Sequence, residues 1–179
     1  MQNVVIWTLY KTKQIALSSL FGGAIFVSKI MLPTPFDKMI VVIQTLFLAL
    51  GSLLFKRIGA TFVASIGGFL TTIWRFTFFP FSLIFAMLYG VLVDVSFHVF
   101  RVRVFLENGK SERIVLSLTL STAVIGVLTT YVMMTSGLMP KIPTLYAMII
   151  IVGVVNGVIA AYFASFIWKR FLKDLIEHF

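Results

Sequence analysis

A carboxylate, an imidazole, an amide and two phenols stand inside long apolar runs of this sequence, as Asp94, His98, Asn156, Tyr89 and Tyr131. Asp94 is the most informative. A charged side chain well inside an apolar helix costs at least about 2.5 kcal/mol on insertion scales, so something must offset it. Four-residue spacing aligns Ala86, Gly90, Asp94 and His98 on one helical stripe, which reads as a face turned toward other helices. Two roles fit: a polar contact to a substrate, ion or proton path, or a structural pair with His98 or a neighbouring basic residue. Lys29 is either a snorkelling lysine or the partner of an anionic ligand group. Trp74 and Arg75 suit an interfacial aromatic belt, and equally a cap that stacks on a ligand and offers it charge. Tyr89, Tyr131 and Asn156 complete the set of polar side chains able to orient a small molecule.

Small residues form two further patterns. Gly153, Gly157, Ala161 and Ser165 recur every fourth position, and Ala16, Ser18, Ser19, Gly22 and Gly23 make a second patch. Small side chains at helical spacing let two backbones approach closely, within one bundle or between subunits. Signatures of catalysis are missing. Gly109-Lys110-Ser111 resembles the end of a phosphate loop, but Val104 stands where the earlier glycine belongs. The sequence carries no HExxH and no GxSxG. His98 beside Asp94 does not complete a metal site, so neither a metal nor a cofactor is expected, and the chain reads as a non-enzyme.

These residues need a scaffold, and composition says which. Of 179 residues, 60% are apolar and 12% charged, with a mean hydropathy of +1.06. Water-soluble domains carry about 25% charged residues, so this chain is an integral membrane protein. The apolar runs predict one all-α domain over residues 1–179, a bundle of six membrane-spanning helices near 15–33, 39–55, 58–74, 81–100, 114–136 and 144–168. If the helices alternate, the segments on the side of the two termini hold eleven Lys and Arg, and the other three loops hold Lys38, Arg75 and Lys141. That asymmetry places both termini in the cytoplasm of a multi-pass cell-membrane protein.

The net charge of +9 would suggest nucleic acid in a soluble protein. Here the cations cluster in short connections and no surface large enough to hold nucleic acid remains, so the bilayer is the expected partner. The absence of cysteine excludes disulfides and thiolate metal sites.

The small-residue first helix IALSSLFGGAIF, the proline-containing segment LPTPFDK and the fourth run LIFAMLYGVLVDVSF resemble the substrate-binding S component of an energy-coupling factor (ECF) transporter. The resemblance covers nearly the whole chain. It implies capture of a vitamin-like micronutrient in a pocket that opens outward beneath the first loop. Release into the cell would be driven by a transmembrane coupling subunit and two cytoplasmic ATPases. Family members dock through an alanine-xxx-alanine pattern in the first helix. Here Ala16 keeps an alanine, and serine and glycine hold the later places. On this view Lys29, Trp74, Arg75 and Tyr131 are outer pocket candidates, with Tyr89, Asp94 and Asn156 deeper. The cations Lys29, Lys38, Arg75 and Lys141 favour an anionic ligand.

Two other classes fit the same residues. One is an accessory helical subunit of a larger membrane complex, such as an oxidoreductase. The other is a small proton-coupled carrier that relays protons through Asp94 and His98.

Overall fold

The computed structural model describes residues 2–31, 41–55, 58–74, 80–102, 104, 111–137 and 142–172. All regular structure among them is helical: α1 (Gln2–Met31), α2 (Val41–Leu54), α3 (Gly59–Trp74), α4 (Phe81–Val99), α5 (Glu112–Thr135) and α6 (Pro143–Ile167). A π-helical turn, Trp168–Leu172, continues α6. Pro143 opens α6 at a first-turn position, where its missing N–H leaves nothing unpaired. Gly137 takes a positive φ of 72° just beyond α5, ending that helix as glycine readily does.

Among the described residues, four segments are long and apolar enough to cross a membrane: Thr12–Met31, Phe81–Val99, Glu112–Thr135 and Tyr146–Phe171. The other two helices are shorter than their apolar runs. α2 has 14 residues and α3 has 16. At 1.5 Å per residue they reach about 21 and 24 Å, against a hydrocarbon thickness near 30 Å. α1 differs the other way, starting at Gln2 instead of Ile15, because helical geometry continues through the polar residues ahead of the apolar run.

α2 lies at the centre. It touches α1, α3, α4, α5 and α6, and most of its side chains are buried. Around it α1 packs on α3, α3 on α4, α4 on α5 and α5 on α6. Core residues from every layer meet here, including Ile25, Leu48, Leu53, Val63, Val93, Ile114, Leu118 and Trp168. The outer surface is apolar as well: Leu20, Phe69, Ile73, Val91, Leu120, Ile151 and Phe163 are exposed. So many large apolar side chains on the outside suit hydrocarbon surroundings better than water.

Helix contacts depend on small residues. A Cβ added at Gly90 would come within 2.8 Å of the Ala64 Cβ, the Ala60 carbonyl and the Thr61 Cα. One added at Gly68 would meet the Ala86 Cβ at 2.7 Å. Ala60, Ala64 and Gly68 of α3 therefore interlock with Ala86, Gly90 and Asp94 of α4 along an antiparallel seam. Gly51 and Gly59 let the α2–α3 hairpin close backbone to backbone in the same way.

Candidate functional site

The start of α3 explains the fate of Asp94. The residue before this helix is Ile58, whose carbonyl accepts from the Phe62 N–H at 3.0 Å. Its side chain has no oxygen with which to cap the free N–H groups of the first turn. The cap arrives from α4. The Ala60 N–H donates to Asp94 Oδ1 at 3.1 Å, the Thr61 N–H to Oδ2 at 2.8 Å, and the Thr61 hydroxyl to Oδ2 at 2.7 Å. Only 8% of Asp94 remains exposed. The carboxylate sits at the positive end of the α3 dipole, which together with three donors offsets the cost of its burial.

Asp94 does not pair with His98, which lies exposed at the end of α4. The alignment of Ala86, Gly90 and Asp94 on one inward stripe is present, and His98, one turn further along α4, is exposed. Both carboxylate oxygens are engaged by α3, so the arrangement fastens one helix to another. It leaves little free acceptor capacity for a ligand.

Tyr89, one turn earlier, is also engaged. The Thr45 hydroxyl donates to the Val41 carbonyl at 2.7 Å, which leaves its oxygen to accept from the Tyr89 hydroxyl. Tyr89 is buried and ties α4 to the central α2. Between α4 and α5, the Ser121 and Ser96 hydroxyls meet at 2.8 Å. Asn156 is 7% exposed and has an interaction partner.

The remaining sequence candidates lie elsewhere. Trp74 is 66% exposed at the end of α3 and Tyr131 62% exposed on α5. Lys29 is half-buried in the last turn of α1 and has a polar or electrostatic partner. Arg75, Lys38 and Lys141 lie outside the described residues. The structure thus buries both Tyr89 and Asp94, Tyr89 toward α2 and Asp94 toward α3, and leaves Trp74 and Tyr131 on the surface.

Tyr131 lines a shallow apolar groove of about 480 Å³ with Ala123, Val124, Val127, Leu128 and Tyr146. The groove opens where α5 and α6 diverge. Gly157 presses against Thr119 and Thr122, while a Cβ at Gly153 would reach the Thr122 carbonyl only at 3.6 Å. Tyr146 was not anticipated; its place beside Tyr131 depends on the antiparallel register of the two helices.

The small-residue candidates divide by face. Gly157 and Ala161 are buried, Gly157 tight against α5, and Gly153 is half-buried. On α1, Ser18 and Gly22 turn inward, with Gly22 against Ile66 and Gly67 of α3. Ala16 and Ser19 are exposed, and nothing lies within 4 Å of a Cβ built on Gly23. One face of α1 is thus used inside the bundle and the other is open. No group of three or more His, Asp or Glu side chains that could hold a metal ion occurs among the described residues.

In comparisons with known proteins, the chain matches no family model, no curated protein and no solved structure.

Proposed function

We propose that this protein is the substrate-capturing membrane subunit of an ECF-type transporter for a vitamin-like micronutrient, crossing the cell membrane six times with both termini in the cytoplasm. The observation that carries this reading is the open face of α1. Ala16, Ser19 and Gly23 are accessible there beside exposed Leu20 and Val27, a surface on which a partner helix can approach closely. The coupling subunit is the partner assigned to that face, and cytoplasmic ATPases supply the energy. The protein itself is not an enzyme and needs no cofactor.

Substrate contacts are assigned to the end of the bundle that carries Trp74, Tyr131 and Lys29, with Arg75 following α3 in sequence. Asp94, Tyr89 and Asn156 support the site from below by fixing the helices. This division follows from the hydrogen bonds of Asp94 and Tyr89, which are spent on α3 and α2.

The same bonds favour a second reading, the accessory subunit of a larger membrane complex, in which all buried polar residues are structural. A proton relay through Asp94 and His98 is disfavoured, because the two side chains do not meet. Mild-detergent purification of the tagged protein from its own membranes separates the readings. Co-purifying ATPases and a second membrane subunit support the ECF assignment, whereas electron-transfer subunits overturn it in favour of the accessory role. Proton-driven transport by the chain alone in liposomes would overturn both.

A further inference from the structure

Exposed cations gather at one end of the described bundle. Arg101 follows α4, Arg113 lies in the first turn of α5, and Lys169 and Arg170 sit on the π-helical turn that continues α6. The antiparallel course of α4, α5 and α6 brings these three termini together. Ser96 meets Ser121, the Arg113 guanidinium donates to the Phe100 carbonyl at 3.2 Å, and Gly157 faces Thr119. Continuing the last register along α6 brings Arg113 within about two turns of Lys169 and Arg170.

The backbone at this end is held in an uncommon shape. Among the described residues Arg101 alone takes a positive φ (48°) without being glycine. Its N–H donates to the His98 carbonyl at 3.2 Å, and the Arg113 bond to Phe100 fixes the preceding residue. Arg170 is placed 5.8 Å from the centre of the Phe166 ring. On the same π-helical turn, Trp168 is buried in the core and anchors the turn to the bundle. Exposed Val99, Val104, Phe166 and Phe171 flank the charges. Cations set against exposed aromatic and aliphatic side chains match the boundary of an anionic leaflet, phosphate outside and acyl chains within.

We propose that Arg101, Arg113, Lys169 and Arg170 form a binding surface for the phosphate groups of anionic phospholipids. The surface requires the protein to be membrane-embedded and is independent of whether it serves a transporter or another complex.

The test uses the full chain in neutral detergent, supplied with phosphatidylglycerol or phosphatidylcholine, with bound lipid counted by native mass spectrometry and the unfolding midpoint followed in parallel. The proposal predicts selective retention of phosphatidylglycerol and stabilisation by it. Retention should fall roughly tenfold in the R101Q/R113Q/K169Q/R170Q variant. The charge-preserving R101K/R113K/K169R/R170K variant and a K13Q/K29Q control should keep it. Equal retention of both lipids overturns the proposal, as does undiminished phosphatidylglycerol binding by the glutamine variant. Inorganic phosphate producing the same stabilisation would assign the surface to a small anion and also overturn it. Should the glutamine variant fail to fold, the wild type still decides: retention must weaken as salt is raised, and indifference to salt contradicts the surface.

Discussion

At the residue scale, Asp94 works as a helix cap delivered from a neighbouring helix. Asp94→Asn keeps one carbonyl oxygen but turns an amide toward backbone donors, so it should destabilise the protein by about 1–3 kcal/mol, read from denaturant unfolding in detergent micelles. Substrate affinity of the folded fraction should be unchanged, since the carboxylate faces α3 and not a ligand. Tyr89→Phe removes the donor to Thr45 while Thr45 still donates to Val41, and the expected loss is smaller, about 0.5–1.5 kcal/mol. The inward direction of Asp94 was legible in the sequence, because Ala86 and Gly90 mark the same stripe. Its partner was not. Two of the three donors are backbone amides 33 and 34 residues away, which carry no side-chain signature, and the third is the Thr61 hydroxyl; the one further hint was negative, since Ile58-Gly59 offers α3 no cap of its own.

At the element scale, two glycines with opposite surroundings give a paired prediction. Gly90→Val drives a branched side chain into Ala64 and the α3 backbone, and should cost about 1–3 kcal/mol or prevent folding. Gly23→Leu meets nothing in the bundle, so the unfolding midpoint of the isolated protein should hardly move. If the proposed docking face holds, co-purification of the coupling subunit should nonetheless fall, because the larger side chain keeps the partner helix away. Retained partner with Gly23→Leu would remove α1 as the docking face. The small-residue patterns were readable as helix contacts, but sequence spacing alone could not divide them. Ser18 and Gly22 face inward while Ser19 and Gly23, one position on, face outward, and that choice depends on where α3 lies. The helical character of the apolar runs was legible throughout. The brevity of α2 and α3 was less so, since apolar residues continue past the last helical turn of α2 into Phe55.

At the scale of the whole molecule, the proposed topology crosses the membrane six times, with two of the crossings made by helices shorter than the hydrocarbon core. A central α2 wrapped by five neighbours can span with the bilayer thinned locally or with its ends shielded by longer helices. The competing arrangement is a re-entrant α2–α3 hairpin that enters and leaves on one side. The native chain has no cysteine, so single cysteines report topology without background. The decisive measurement is labelling of Lys13→Cys, Thr34→Cys, Lys56→Cys, Thr77→Cys, Gly137→Cys and Arg170→Cys in intact cells with a membrane-impermeant maleimide. Six crossings predict that Thr34→Cys, Thr77→Cys and Gly137→Cys react from outside, while Lys13→Cys, Lys56→Cys and Arg170→Cys react only after the cells are opened. Outside labelling of Lys56→Cys together with Thr34→Cys and Thr77→Cys would make α2–α3 a re-entrant hairpin and contradict the account.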